Sequence, residues 1–260
     1  MKRENKLVEG KNIKQKKKGY AWILIILLLI ILAQVFVLFS PFFNIKYIDV
    51  LGSKKIAAKK IVELSGVCYG QNIFKVSILK AEQQIRNGEP YIDSIKVLRK
   101  LPNCMVIKVS ERVPVGALEY MGSYILVDRN GYALEITTDI RDKSIVELRG
   151  INLNRVTIGK KISEGELDKL KASLCLLSLL EKNNLISKVE YIDVKDTKNV
   201  IIFVDRRLDV KFGSAEEINS TALCKYRLDF LKSIIDKIPE NQAGEINLTA
   251  DNPVFKPVEE

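Results

Sequence analysis

At 260 residues, with 28% charged side chains and a net charge of +10, the chain is long enough for a membrane anchor and more than one folded unit. It contains no histidine, which excludes Ser-His and Cys-His nucleophile pairs, histidine general bases and histidine-containing metal sites. Four cysteines, Cys68, Cys104, Cys175 and Cys224, stand at least 36 residues apart. That spacing gives no CxxC pair or zinc knuckle, and cysteines in or beside apolar stretches read as small buried hydrophobes.

The first 20 residues carry eight Lys/Arg against two acids, so +6 of the net charge sits in a short tail. This unevenness makes the basicity a signal of topology and of attraction to anionic lipid, and points away from nucleic acid. Ala21–Phe39 follows, 19 uncharged residues with Gln34 as the one polar side chain and Tyr20 and Trp22 at one end. A helix of that length spans about 28 Å, close to the ~30 Å of bilayer hydrocarbon. Leu38-Phe39-Ser40-Pro41 lacks the small-x-small pattern of a signal-peptide cleavage site. The segment is expected to be a retained single span, with residues 1–20 cytoplasmic and the rest extracytoplasmic.

Beyond Pro41 the pattern becomes short strands and amphipathic helices. A strand is expected over Asn44–Leu51, helices over Lys55–Ser65 and Val76–Asn87, and strands over Ile92–Arg99 and Cys104–Glu111, the last two joined by a turn at Leu101-Pro102-Asn103. This β-α-α-β-β order suits a small two-layer domain. Strands are then expected over Val115–Tyr120, Tyr124–Asp128, Tyr132–Ile136 and Ser144–Leu148, with Asn130-Gly131 as a hairpin signal. Leucines 167, 170, 174, 177 and 180 place a packing helix over Glu164–Asn183. Strands over Val189–Val194, Val200–Val204 and Leu208–Phe212 lead to a helix over Ala215–Ile238, with Ile218, Ala222, Leu223, Tyr226, Phe230, Ile234 and Ile238 inward. Glu245–Thr249 reads as a last strand, and 251–260, with two prolines, as a loose tail.

These pieces resemble a known family. Residues 43–118, beginning FNIKYIDVLGSKKIAAKKIV and closing VLRKLPNCMVIKVSERVPVGAL, look like the POTRA domain of FtsQ/DivIB-type cell-division proteins. Leu101-Pro102-Asn103 followed by Glu111-Arg112-Val113-Pro114-Val115 is similar to the family's LPN…ERxPVA pattern, and Leu126-Val127-Asp128 through Gly131 to its LVDxxG hairpin. Ile246-Asn247-Leu248-Thr249 occupies the place of its closing strand. Gly116 stands where the family usually has alanine, and Asn247-Leu248-Thr249 replaces the commoner Asp-Leu-Arg.

The resemblance implies an α+β protein divided into a cytoplasmic tail (1–20), transmembrane helix (21–39), POTRA-type domain (43–113), mostly antiparallel β domain with flanking helices (114–250) and flexible tail (251–260). It implies a non-enzymatic scaffold at the division septum, binding FtsB/DivIC-like and FtsL-like bitopic partners and needing no cofactor, metal, nucleic acid or small-molecule substrate. A route for such binding is strand addition at a sheet edge formed by Glu245, Ile246, Asn247, Leu248 and Thr249, with Phe255 as an apolar anchor. The alternative is that Ile246 and Leu248 pack inward and the tail covers that edge. Glu111, Arg112 and Pro114 are expected to fix the junction between the two extracytoplasmic domains. Ser77-Ile78-Leu79-Lys80 matches the Ser-x-x-Lys of penicillin-binding enzymes, but companion motifs are missing and a serine at a helix start usually caps it. A membrane-anchored binding or sensor module unrelated to division is the second reading.

Overall fold

The computed structural model describes residues 22–140, 145–218, 221–250 and 253–258. The basic tail 1–20, Ala21 of the apolar run, Ser144 and Asp251 lie outside the described residues. Residues 22–38 form helix α1, whose apolar side chains are exposed along its length, from Trp22 at 68% to Phe36 at 79%. Among the described residues no helix is long and apolar enough to cross a membrane. The chain divides into two compact units, one of residues 1–85 and 95–109, the other of residues 86–94 and 110–260.

The first unit holds a three-stranded sheet in the order β1-β3-β2, from β1 (Tyr47–Leu51), β2 (Ile92–Lys100) and β3 (Cys104–Glu111). Helices α2 (Ala58–Ser65) and α3 (Ile78–Gly88) stand between β1 and β2 in the chain, giving the expected β-α-α-β-β order. β1 runs parallel to β3 with Ile48 opposite Met105 and Val50 opposite Ile107. Met105 and Ile107 of β3, Ile61 of α2 and Ile85 of α3 are fully buried, so the helices seal one face of the sheet. The Arg99 guanidinium donates to the carbonyls of Ile73 (2.9 Å) and Val76 (2.7 Å), and Glu82 accepts from Val97 N–H (2.8 Å). Ser77 Oγ accepts the Lys80 N–H at 3.4 Å, the capping role its position suggested. The Leu101–Pro102 peptide in the β2–β3 turn is cis.

The second unit is built on a nine-stranded mixed sheet in the order β12-β11-β10-β9-β8-β7-β4-β5-β6. Its strands are β4 (Pro114–Tyr120), β5 (Ser123–Asp128), β6 (Ala133–Thr137), β7 (Val146–Arg149), β8 (Val189–Asp193), β9 (Val200–Val204), β10 (Leu208–Gly213), β11 (Gly244–Asn247) and β12 (Val254–Pro257). Five of its pairings are antiparallel; β4–β7, β7–β8 and β10–β11 are parallel. Helices α4 (Leu167–Lys182), α5 (Ala215–Ile218) and α6 (Thr221–Ile235) pack over alternate strand residues such as Leu148, Ile192, Ile202, Val210 and Ile246. The protein is therefore α+β.

Several expectations are corrected. The helix expected to run to Ile238 ends at Ile235; residues 219–220 within its span lie outside the described residues. Its inward stripe is Ile218, Cys224, Leu228, Leu231 and Ile235, while Tyr226 is 59% exposed. Tyr226 lies two residues from both Cys224 and Leu228, the opposite side of a 3.6-residue period. α4 begins at Leu167, not Glu164, and Leu176 joins Leu170, Leu177 and Leu180 in the core. The four thiols are free; Cys104 and Cys224 are buried, but Cys68 is exposed.

Candidate partner-binding edge

The C-terminal edge is built by β10, β11 and β12. β11 lies parallel to β10, with Val210 opposite Ile246, and antiparallel to β12, with Ile246 opposite Phe255. Glu245–Thr249 therefore does not form the edge of the sheet. The tail read as loose supplies the outermost strand, Val254–Pro257, and covers it. The physical reason is burial: Ile246 is fully buried and Leu248 nearly so, which draws this segment into the core and leaves its backbone to be paired on both sides.

The remaining named side chains are spoken for locally. Glu245 pairs with Lys211 of β10 at 2.8 Å. Asn247 Oδ1 accepts from Thr249 N–H (2.9 Å) and Thr249 Oγ1 (2.7 Å), a turn that ends β11. The Arg207 guanidinium donates to the carbonyls of Ile238, Pro239 and Gln242, tying down the connection from α6 into β11. Gly244 is required by close approach: a Cβ there would lie 2.5 Å from both the Lys256 carbonyl oxygen and Phe255 Cε2. Phe255 is half-buried against the core, on the face that carries Ile246.

Pairing also fixes which backbone groups of β12 face outward. Val258 N–H donates to Ala243 O at 3.0 Å, so even-numbered residues of this strand hydrogen-bond to β11 and odd-numbered ones point away. The outward positions are Pro253, Phe255 and Pro257. Prolines have no N–H, so this edge presents three carbonyls and a single donor, Phe255 N–H. Val254 and Lys256 project to the other face, Val254 46% exposed.

Arg112 occupies a second site, within the second unit. Its side chain is 7% exposed, donates to Asp128 Oδ2 at 2.5 Å and to Ile92 O at 3.2 Å, and stands 3.2 Å from Asp93. The guanidinium lies 3.7 Å over the Tyr132 ring. Asp128 Oδ1 in turn accepts the N–H groups of Asn130 (2.9 Å) and Tyr132 (2.8 Å), so one carboxylate both shapes the β5–β6 hairpin and neutralises the arginine. Glu111 ends β3 and Pro114 opens β4, where a missing N–H costs no ladder bond. Sequence reasoning singled out Arg112 and the Asp128 hairpin separately; nothing in their spacing shows that they meet.

Comparison with known proteins points to one family. The model of the POTRA domain, FtsQ-type, matches residues 43–112. The cell division protein DivIB of Clostridium acetobutylicum is 34% identical over 165 residues, 64% of this chain and 60% of that protein. The chain is similar to FtsQ/DivIB-type cell-division proteins. DivIB of Clostridium botulinum (strain Hall) is 27% identical over 94% of both chains, and FtsQ of Syntrophotalea carbinolica 25% identical over 63% of this chain and 57% of that one. The extracytoplasmic domain of DivIB from Geobacillus stearothermophilus aligns at a TM-score of 0.33 and 15% identity, over 50% of this chain and 98% of that one, too slight a likeness to argue from. These relatives are named cell division proteins, and here Ser77 sits at a helix start with its Oγ accepting the Lys80 N–H. Gly116, at the family's usual alanine, is matched to its neighbours: a Cβ would lie 2.9 Å from Leu148 Cδ1.

Proposed function

We propose that the chain is a bitopic scaffold of the division complex that binds FtsB/DivIC-like and FtsL-like partners and couples them to septal wall synthesis. The observation that carries the binding route is β12, an outermost strand with one paired side and one open side. A partner segment adds there as a tenth strand, accepting from Phe255 N–H and donating to the carbonyls of Pro253, Phe255 and Pro257, with Val254 and Lys256 on one flank. Glu245, Ile246, Asn247, Leu248 and Thr249 act behind it, as the platform that holds β12 in place.

The anchor belongs to the same proposal. Ala21–Phe39 is two residues longer than the described helix, and the exposed apolar side chains of 22–38 suit a lipid environment. With the basic tail cytoplasmic, both units stand outside the membrane at the septum. Glu111, Arg112 and Pro114 mark the passage from the POTRA-type segment into the β segment, since β3 ends at Glu111 and β4 begins at Pro114.

The test is co-purification of full-length chain with co-expressed DivIC-like and FtsL-like proteins. Phe255→Ala removes the ring but keeps the outward N–H, whereas Phe255→Pro removes both and leaves the bonds from β12 to β11 intact. Strand addition predicts partial retention with the first and loss with the second. Equal retention by both variants eliminates the strand-addition route, and absence of the wild-type fluorescent fusion from the division plane eliminates the scaffold reading.

A further inference from the structure

Far from β12 in the sheet order, a groove of about 740 Å³ runs along the outer face of α4 beside the tip of the β5–β6 hairpin. Its floor is apolar: Leu167, Leu170 and Leu174, at the i, i+3 and i+7 spacing of one helix face, with Leu179 flanking them further along α4. Leu167, Leu174 and Leu179 are only partly buried although each packs against the core. Around this floor stand Arg129 on the hairpin, Lys161 on the loop before α4, and Lys171 and Lys182 on α4 itself, all exposed. No acidic side chain lines the groove among the described residues. Asp168 and Glu181 approach Lys171 (3.6 Å) and Arg129 (3.8 Å) from outside it, in solvent-exposed pairs that hold their cations weakly.

We infer that this groove is a docking site for an acidic amphipathic helix of a partner protein. The stretch of α4 from Leu167 to Lys182 is about 22 Å long, so about four turns of a second helix match it. Such a helix lays an apolar stripe at i, i+3, i+4 and i+7 over the leucines and sets carboxylates against the four cations, the helix-in-groove mode of recognition. The chain's own segments do not fit. Its tail 1–20 is strongly basic, and α2, α3 and α6 each carry more Lys/Arg than Asp/Glu, so neither the tail nor one of these helices from a second copy supplies the complementary charge. The site lies on different strands and a different helix from the β12 edge, and does not depend on strand addition there.

The experiment uses the full-length chain in neutral detergent and two fluorescein-labelled designed helices of about 15 residues. Both carry the same leucine stripe, one flanked by glutamates and the other by lysines. Fluorescence anisotropy is expected to show the acidic helix binding at least about tenfold more tightly than the basic one, a difference that shrinks with added salt. The double variant Lys171→Glu/Lys182→Glu, at two exposed positions that leave the core untouched, is expected to reverse that preference. Phe255→Pro is expected to leave it unchanged, which separates this site from the β12 edge. Equal binding of both helices, or no reversal by the double variant, overturns the proposal. So does displacement of the acidic helix by phosphatidylglycerol micelles, which assigns the groove to lipid. A concentration-dependent dimer that the acidic helix fails to dissociate assigns it to a second copy and overturns it equally.

Discussion

β11 and β12 are adjacent strands of four residues each, yet they differ in almost every physical respect. β11 has a partner on both sides and buries Ile246 completely; β12 has one partner, two outward prolines flanking its centre, and no fully buried side chain. Strand identity is thus a poor guide to role. Burial anchors the inner strand, while pairing on one side leaves the outer one able to exchange a neighbour. The prolines restrict that exchange: an edge with a single N–H cannot template a long ladder, which protects the sheet from indiscriminate edge-to-edge association while leaving room for a short, matched segment.

The comparison breaks most visibly if the two strands contribute equally to stability. Ile246→Ala is expected to destabilise the second unit by about 2–5 kcal/mol, since it opens a cavity at a fully buried position. Phe255→Ala, at a half-buried position, is expected to cost less than half of that. Urea unfolding of the full chain followed at the second unit checks the order, and an equal loss from both would remove the distinction between platform and edge.

The arrangement was only partly legible in the sequence. Local periodicity located most of the strands and helices, because alternation and 3.6-residue stripes are properties of contiguous residues. It missed β12, because Pro253 and Pro257 read as breakers although they sit where an edge strand tolerates proline; the Val-Phe-Lys between them was the available signal. It misplaced the edge because β10–β11, β4–β7 and β7–β8 are parallel pairings between strands apart in the chain, and which strands meet is set by the whole core. The Arg112–Asp128 pair was invisible for the same reason: the two are 16 residues apart, Arg112 between β3 and β4 and Asp128 at the end of β5.

A second variant acts at the contact between the two strands. Gly244→Val places a branched side chain against the Lys256 carbonyl and the Phe255 ring, and is expected to cost about 1–3 kcal/mol by forcing β12 outward. Partner binding should fall further than stability does, because the edge itself is displaced. Retained binding at wild-type affinity would show that the partner does not read the position of β12.

Amide exchange sharpens the same contrast without mutation. Lys256 and Val258 N–H face β11 and are expected to exchange slowly, while Phe255 N–H, facing outward, exchanges at least about tenfold faster and becomes protected when a partner strand adds. Uniform protection across these three amides would contradict the outward assignment of Phe255.

The smallest effect lies on the inner side of β11. Its neighbour β10 ends at Gly213, over which Arg227 and Glu217 close at 2.9 Å in contacts that leave no room for a side chain. Arg227 first, and the Ser214 N–H second, hold the Glu217 carboxyl below its ordinary range. A carboxyl with a depressed folded pKa contributes stability that is fully present above its unfolded pKa and is lost as pH falls through the folded one. Glu217→Gln should therefore remove part of the acid dependence below the usual carboxylate range, with a loss of stability that is fully present at neutral pH, fades as pH falls through that range, and is modest throughout because Glu217 is half-exposed and screened. Thermal unfolding of the wild type and the variant between neutral and acid pH measures this. Parallel curves would mean that the end of β10 is held by packing alone, and that the platform behind β12 owes nothing to this ion pair.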